Sequence, residues 1–362
     1  MKIREITVGA LPDFIQSLEY KNLHPKPITP ARAISQFKNP HAVKDDVALV
    51  FVAGNDDMLL AFAGLLPHKI TGSGKRIFSN SGWWVHPQYG RKFGLPVFLH
   101  ALRICRQRMF VADATAHTQS ILEKTGLFTC CPPVKGSRFF LRFYSGEWLR
   151  KNKKSRFFSY LFSVLDKILN ALISLRVSSQ LKKNVAEKYS INSRSIIDDG
   201  LAEFIKKHPG DSCLMQDTAK LNWIVQNPWV TWTKEGPPLS YPFTYRVESF
   251  RQEFLEVKMG SETVALLLLS IRDKHASIPF IYYKKGVLND VACILWNHLA
   301  RIKSNSLVVF HQELRMALEK SGKIWLFRKN ITRFAGYSKE LNPIFAEKKF
   351  SFQDGEGDVV FT

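Results

Sequence analysis

The pattern of apolar and polar residues predicts alternating strands and helices over the first 150 residues. Residues 2–7 predict a strand, and residues 10–20 predict a helix whose apolar face is Leu11, Phe14, Ile15 and Leu18. The apolar runs 47–53 and 58–66 flank a Gly-Asn-Asp-Asp turn, which predicts a hairpin. Later segments continue the alternation, with helices at 30–39, 97–108 and 118–124 and strands at 83–85, 109–112 and 138–144. This order predicts an α/β fold with a mixed sheet.

Short segments of the first half recur in the second half in the same order. Leu122–Gly126 returns as Leu318–Gly322 after 196 residues, and Leu11–Ile15 returns as Leu201–Ile205 after 190 residues. The dipeptide Asn39-Pro40 of Lys38-Asn39-Pro40 returns in Gln226-Asn227-Pro228 after 188 residues. Three ordered echoes at nearly one offset predict two copies of one fold. We therefore predict a first domain at 1–147, a linker at 148–189 and a second domain at 190–362.

In the second copy, the sequence pattern predicts strands at 254–257, 264–271 and 275–283. The last of these is the counterpart of the strand at 83–85. Residues 350–361 predict two further strand pieces around a Gly-Asp turn.

The sequence of the linker predicts a basic amphipathic helix. One face carries Phe157, Leu161, Val164, Ile168, Leu172 and Leu175, and the other carries Ser159, Ser163, Lys167, Asn170 and Ser174. Asp166 and Lys167 oppose a membrane span, because each central charge costs about 2.5–3.5 kcal/mol. Two interpretations stay open: a linker helix buried against the domains, or a helix lying on an anionic membrane surface through residues 151–183.

The stretch from Ser81 to Arg108 predicts a strand, a basic loop and a helix. Trp83-Trp84-Val85 is bulky and β-branched, and Pro87 and Gly90 interrupt the chain after it. Pro96 fits the first turn of the following helix, where a missing N–H is tolerated. Backbone N–H groups and two cations, Arg91 and Lys92, thus converge at a helix N-terminus, which favours a phosphate or pyrophosphate ligand.

Residues 85–96 resemble the central motif of the GNAT superfamily of N-acyltransferases, Gln/Arg-x-x-Gly-x-Gly/Ala. The segment matches that motif at Arg91 and Gly94 and departs from it at Pro96. The resemblance implies acetyl-CoA or coenzyme A as the cofactor, with its pyrophosphate on this loop and its pantetheine arm beside Trp84-Val85. The cofactor-binding residues it implies are Trp84, Val85, Arg91, Lys92, Phe93, Gly94, Leu95, Pro96 and Thr115. In the second copy, Lys284–Asp290 lacks the motif, so we expect poor coenzyme A binding there.

The resemblance also implies a base for the acceptor amine and an acid for the leaving thiolate. The segment between Tyr20 and Leu122 contains no glutamate, so Asp113 is the best carboxylate candidate for the base. A capping or turn role for Asp113 stays open. Leu122 stands where many members of the superfamily carry a catalytic tyrosine. No residue pattern indicates a metal site.

Composition fits a globular protein with an anionic partner. The chain has 362 residues, 45% of them hydrophobic, and a formal net charge of +21. Its five cysteines lack zinc-ligand spacing, and the first residues form no apolar secretory run, so we expect a cytoplasmic protein. A peripheral position on the membrane is a second expectation, from the linker helix.

The leading hypothesis is an acyl-CoA-dependent N-acyltransferase built from two GNAT-like folds. Its acceptor would be a small-molecule amine, such as an amino sugar or an envelope or polysaccharide precursor, bound between the copies. One alternative is a Fem-type aminoacyl-tRNA-dependent transferase, which the positive charge favours because RNA binding needs distributed cations. Another is a non-catalytic membrane or protein adaptor, which the missing tyrosine and glutamate favour.

Overall fold

A mixed sheet of thirteen strands runs through both halves of the molecule. The computed structural model describes residues 2–151, 157–180, 188–234, 238–322, 324–347 and 353–361. In the first half, the strands are β1 (Arg4–Thr7), β2 (Val47–Ala53), β3 (Leu59–Lys69), β4 (Arg76–Val85), β5 (Met109–Ala114), β6 (Phe128–Cys130) and β7 (Val134–Phe140). The helices there are α1 (Leu11–Gln16), α2 (Leu18–Asn22), α3 (Pro30–Phe37), α4 (Arg91–Ile104) and α5 (Ala116–Thr125).

Two helices, α6 (Ser145–Lys151) and α7 (Ser159–Gln180), stand between the halves. The strands of the second half are β8 (Tyr189–Arg194), β9 (Thr231–Trp232), β10 (Arg246–Val247), β11 (Phe250–Met259), β12 (Glu262–Arg272), β13 (His275–Tyr283), β14 (Ser306–Val309) and β15 (Phe327–Ser338). Its helices are α8 (Asp199–Lys207), α9 (Thr218–Gln226), α10 (Leu288–Arg301), α11 (Gln312–Lys320) and α12 (Asn342–Glu347). Strands β9 and β10 form a separate small sheet.

The two halves exchange strands at the middle of the large sheet. Its order is β1-β2-β3-β4-β5-β15-β7-β14-β13-β12-β11-β8, with β6 also on β15. The pairs β4–β5 and β13–β14 are parallel, and the other pairs of this sheet are antiparallel. The closing strand predicted at 138–144 is therefore β7, and it pairs with β14 and β15 rather than with β5. Strand β15, which the sequence pattern did not predict, pairs with β5 in return.

The order of elements repeats between the halves. In both, an edge strand and short helices precede three antiparallel strands, a long helix, a strand parallel to the third, and another helix. The sequence echoes fall on matching elements, with Leu11–Ile15 in α1 and Leu201–Ile205 in α8, and Leu122 in α5 and Leu318 in α11. The duplication thus extends to element order. The boundaries 1–147, 148–189 and 190–362 and the superposition of the copies stay predictions.

Local structure departs from the sequence pattern at three places. The helix predicted at 10–20 breaks at Ser17, whose extended backbone and hydroxyl cap start α2. Leu18 is therefore 73% exposed instead of buried. Helix α4 begins at Arg91 rather than near Pro96, so Pro96 lies inside the helix. Gln353–Phe361 forms turns and a short 3₁₀ helix rather than strands, and the remaining residues of that prediction, 350–352, lie outside the described chain.

The C-terminal segment Gln353–Phe361, called the tail below, lies buried between the halves. The Asp354 carboxylate pairs with Arg333, and Glu356 accepts hydrogen bonds from Ser212 and Gln216. The Phe361 ring stacks on Trp229 at a centroid distance of 4.4 Å. Because Asp358 of the tail also accepts a hydrogen bond from the Ser81 hydroxyl of β4, the tail links elements of both halves.

Candidate functional site

A cleft opens where the two parallel strands β4 and β5 separate. They pair only at Phe78 with Met109 and at Ser79 with Phe110. Beyond these pairs lies a cavity of about 470 Å³. Its lining from the first half includes Thr29, Arg32, Asn80, Gly82, Trp83, Val111, Asp113, Thr115 and Thr118, and from the second half Trp229, Tyr241, Phe243, Thr244, Tyr245, Arg272, Asp358 and Val359. Both halves thus build this cavity.

A β-bulge shapes the β4 wall of the cleft. Ala63 pairs with Trp83 and Leu65 pairs with Asn80, so two residues of β4, Ser81 and Gly82, oppose one residue of β3. Gly82 has φ of 84°, a conformation that side-chain-bearing residues rarely adopt. Because a bulge leaves one residue outside the ladder, it provides backbone groups to the cleft rather than to the sheet.

The Arg32 side chain of α3 is hydrogen-bonded to the bulge. This side chain is 6% exposed, and its guanidinium donates to the Ser81 carbonyl and, at 2.6 Å, to the Ser81 hydroxyl. It also donates to the Tyr241 hydroxyl at 2.8 Å and lies 4.3 Å from the centre of the Trp229 ring. A cation of the first half is thereby bound by aromatic side chains of the second.

Asp358 of the tail brings a carboxylate to the bulge. Its Oδ2 accepts a hydrogen bond from the Ser81 hydroxyl at 3.2 Å, and the residue lines the cavity. Burial raises the pKa of this carboxyl group, and the Arg32 guanidinium and the Ser81 hydroxyl partly oppose that rise. A carboxylate with a raised pKa is a stronger base than an ordinary aspartate, so Asp358 is suited to accept a proton here.

Asp113, the base candidate of the sequence, lines the same cavity on its β5 side. Its side chain is 53% exposed, and its Oδ1 lies 3.4 Å from Nε of Arg333 on β15. Arg333 also pairs with Asp354 and lies 4.1 Å from the Phe310 ring centre. Asp113 therefore faces an arginine that the exchanged strand brings, and its role as the base stays a prediction. The cleft holds two candidate carboxylates.

Thr115 directly follows the last residue of β5. Its hydroxyl accepts a hydrogen bond from the Thr118 N–H at 3.1 Å and so caps α5. Both threonines line the cavity. A helix N-terminus therefore faces the cleft at this position, and a contact of Thr115 with coenzyme A stays a prediction.

The predicted cofactor loop is tighter than an open phosphate cradle. The N–H groups of Gln88 and Tyr89 donate to Nδ1 of His86 at 3.3 Å, and that of Gly90 donates to the His86 carbonyl at 2.9 Å. The N–H groups of Arg91 and Lys92 begin α4, where helix geometry provides no acceptor. These two N–H groups and the exposed Lys92 side chain fit a pyrophosphate; the Arg91 side chain lies outside what the structure describes.

The other predicted cofactor residues divide between packing and exposed positions. A Cβ atom added at Gly94 would lie 2.5 Å from Val85 Cγ2, so this glycine allows α4 to approach β4. Phe93 is partly buried against the same core, while Leu95 and Pro96 are exposed. Trp84 packs on Phe62, on the sheet face opposite Trp83. The loop residues therefore stay cofactor candidates, with Gly94 also required for packing.

The sequence did not reveal the residues that come from distant segments. Arg32, Asp358 and the aromatic side chains of 229–245 meet at the cavity only through folding. Two histidines of the first half have other contacts: Nε2 of His68 lies 2.9 Å from the Ser79 hydroxyl, and Nδ1 of His86 accepts from an N–H group of its own turn. Leu122 is buried in the core, and leucine has no hydroxyl that could protonate a leaving thiolate. Asp358 lies in the glycine-rich tail, where no local pattern indicates a contact with β4.

Solved structures share this architecture, although no protein-family model and no curated protein matches the sequence. A probable N-acyltransferase from Enterococcus faecalis V583 is 11% identical, with 96% of this chain and 74% of that chain covered and a TM-score of 0.50. A GCN5-related N-acetyltransferase from Kribbella flavida is also 11% identical, with 92% and 71% covered and a TM-score of 0.48. The chain has the GNAT fold. The predicted mixed α/β class with a GNAT-like fold is confirmed, and the division into two tandem copies stays a prediction.

Proposed function

We propose that this protein is an acyl-CoA-dependent N-acyltransferase, with acetyl-CoA as the donor and a small amine as the acceptor. The observation that supports this proposal is the cleft between β4 and β5, which is lined by a bulge and by a partly buried carboxylate, Asp358. A GNAT fold supplies the cleft, but the carboxylate comes from the tail of this chain. Together they provide the two functions that aminolysis of a thioester needs, carbonyl polarisation and proton removal.

The donor side of the proposed site is the junction of β4 and α4. Bound acyl-CoA would supply the thioester carbonyl that the amine attacks. The N–H groups of Arg91 and Lys92 and the Lys92 ammonium would bind its pyrophosphate. The N-terminus of α5, capped by Thr115, would face the cofactor from β5.

The chemistry at the cleft follows from its groups. The amine nitrogen forms the new C–N bond, the C–S bond breaks, and coenzyme A leaves as the thiolate or thiol. Asp358 takes the proton that the amine loses, and the Ser81 hydroxyl, which donates to its Oδ2 at 3.2 Å, holds the carboxylate in place. Backbone N–H at the Ser81–Gly82 bulge stabilises the oxyanion, as fixed donors do in acyl transfer.

The acceptor side is the part of the cavity that the second half lines. Its lining there includes the aromatic side chains of Trp229, Tyr241, Phe243 and Tyr245 together with one further cation, Arg272. Such a pocket suits a compact amine with hydroxyl or anionic groups, because apolar walls orient it and a few polar groups fix its position. An amino sugar fits this description.

The test combines coenzyme A binding with turnover. Calorimetry should find one coenzyme A per chain, and acetyl-CoA should release free thiol with at least one compound of an amino-sugar panel. Lys92→Glu should weaken coenzyme A binding about threefold to tenfold, because an exposed cation near the pyrophosphate becomes an anion. Lys285→Glu is the matched control in the corresponding loop of the second half, and it should leave binding unchanged.

Equal effects of the two lysine variants would refute the assignment of the loop. Absence of coenzyme A binding would refute the donor. Tight tRNA binding that falls steeply with salt, combined with no acyl-CoA turnover, would instead favour a Fem-type transferase.

A further inference from the structure

We propose that the outward face of α7 binds an anionic lipid bilayer and holds the protein on a membrane surface. The side chains that carry this proposal are large, apolar and between 39% and 80% exposed: Tyr160, Leu161, Phe162, Val164, Leu165, Ile168, Leu172 and Leu175. Phe157 and Phe158 extend the face at its N-terminal end and are also exposed. We call these ten residues the apolar face of α7.

The helix is attached to the protein by its polar side. Oδ2 of Asp166 accepts the Gly146 N–H at 2.8 Å. The Asn170 side-chain amide both accepts from the Phe143 N–H at 2.9 Å and donates to the Phe143 carbonyl at 2.8 Å. These contacts fix the orientation of α7, so the apolar face points outward because of specific hydrogen bonds.

This orientation is the reverse of the usual one. A helix on a globular protein turns its apolar stripe to the core and its polar side to water. The interpretation of α7 as a buried linker is therefore wrong. Within the predicted polar face, Asn170 is buried against Phe143, whereas Lys167 is exposed. A contiguous apolar surface of this kind marks an interaction site.

The positive charge of the linker region favours an anionic bilayer as the binding partner of the apolar face of α7. Residues 148–189 contain ten lysines and arginines but only two acidic residues, Asp166 and Glu187, and the whole chain carries +21. Asp166 is turned toward the protein, which leaves Lys167 as the charged side chain of the exposed surface near the middle of α7. An apolar face with cationic flanks provides the two signals that stable peripheral binding needs.

The depth of binding follows from length and charge. Within the described ranges, no helix has the length and apolarity to cross a bilayer. A 22-residue helix with Asp166 and Lys167 in its middle instead lies parallel to the surface, with its apolar face among the acyl chains. A second copy of the chain is a poorer occupant, because it would bring a second excess of cations to the same contact.

Vesicle co-sedimentation of the whole protein tests the proposal. The protein should sediment with phosphatidylcholine–phosphatidylglycerol vesicles at about a 7:3 ratio and less with pure phosphatidylcholine. Raising the salt to about 0.5 M should weaken binding, because the Debye length falls to a few ångströms. Ile168→Glu/Leu172→Glu should reduce the partition coefficient about tenfold or more, since two apolar side chains and two units of charge are lost from the contact.

The control is Leu18→Glu/Met316→Glu, which makes the same charge change at exposed apolar positions of α2 and α11. It should bind vesicles like the parent protein. Equal loss in both variants, or no binding of the parent protein at low salt, would overturn the proposal. So would a dimer in analytical ultracentrifugation that the α7 variant alone dissociates, because the apolar face would then belong to a second copy.

Discussion

The two halves of the molecule build matching clefts that differ in what lines them. In the first half, β4 leaves β5 after two paired residues, and in the second half β13 leaves β14 after three. The second cleft opens into a cavity of about 760 Å³, larger than the first. Size alone therefore does not indicate which cleft is suited to acyl transfer.

The bulges on β4 and β13 differ in the backbone groups that they offer. On β13, Ile278 and Pro279 oppose one residue of β12, just as Ser81 and Gly82 oppose one residue of β3. Proline has no N–H group, so the second bulge loses a donor that the first retains. A duplicated strand can thus keep its shape while it loses the ability to polarise a carbonyl.

The tail adds a second difference. Gln353 Oε1 accepts the Ile281 N–H at 2.7 Å, and the Gly355 N–H donates to the Pro279 carbonyl at 2.8 Å. Backbone groups of β13 that a pantetheine arm would need are therefore already bonded. At the first cleft, the tail instead supplies Asp358, and the cavity remains lined by both halves. We infer that the second half acts as a wall of the acceptor site rather than as a second donor site.

The largest predicted effect separates two of the three tail carboxylates, Asp358 and Asp354. Asp358→Asn should lower turnover about 10²–10⁴-fold, the range for loss of a general base, while coenzyme A binding persists. Arg32 keeps its hydrogen bonds to Ser81 and Tyr241 in this variant, so the fold should persist. Steady-state kinetics with the best acceptor measures the effect.

Asp354→Asn is the matched variant at the second cleft. In this variant Arg333 still has the Asp113 carboxylate as a partner. Turnover should therefore stay within about threefold of that of the parent protein. Equal losses at both positions would contradict the difference between the clefts. A large loss in Asp113→Asn together with a normal Asp358→Asn would assign the base to Asp113.

A smaller effect is predicted for glycines with positive φ. Gly82→Ala should reduce kcat about 10- to 100-fold, because the new Cβ lies 3.1 Å from Phe243 and displaces the bulge from the reacting atoms. Gly286→Ala has a similar φ, 87°, and nothing within 4 Å of the added Cβ. Its kcat should be unchanged, although backbone strain lowers stability in both variants by about 1 kcal/mol or more.

A comparable loss of kcat in both alanine variants would show that backbone strain, rather than the position of the bulge, limits turnover. Thermal unfolding of each variant provides the necessary measure of strain. This pair therefore tests the first cleft against the loop that follows β13.

The sequence predicted those parts of the fold that depend on local pattern. Strands β2, β3 and β13 were predicted closely because each is a long apolar run between turn residues. The three echoes predicted the repeated element order. Strand β15 was missed because Arg328, Lys329 and Arg333 interrupt its apolar positions, and it is stabilised by pairing with strands far away in the sequence.

The candidate site was only partly predictable for the same reason. Asp113 and Thr115 follow β5 directly, so their position at the cleft could be predicted from the local order of elements. Asp358 lies 277 residues from its partner Ser81, and only the strand exchange and the tail bring them together. Short-range pattern carries no information on such a contact. Gly94 was expected at the cofactor, whereas its close approach to Val85 depends on how α4 packs.

The smallest predicted effect concerns pH and returns to the carboxylate of the first cleft. Asp358 must be deprotonated to act as a base, so kcat/KM should rise with pH through the pKa of this group. Because burial raises that pKa, the acidic limb should lie above the range of an ordinary aspartate. Ser81→Ala removes a hydroxyl that stabilises the carboxylate, and so it should move the limb to still higher pH with little change on the plateau. Ser79→Ala is the control, since that hydroxyl bonds to His68 instead. A limb that Ser81→Ala leaves in place, or moves to lower pH, would show that the titrating base is not Asp358.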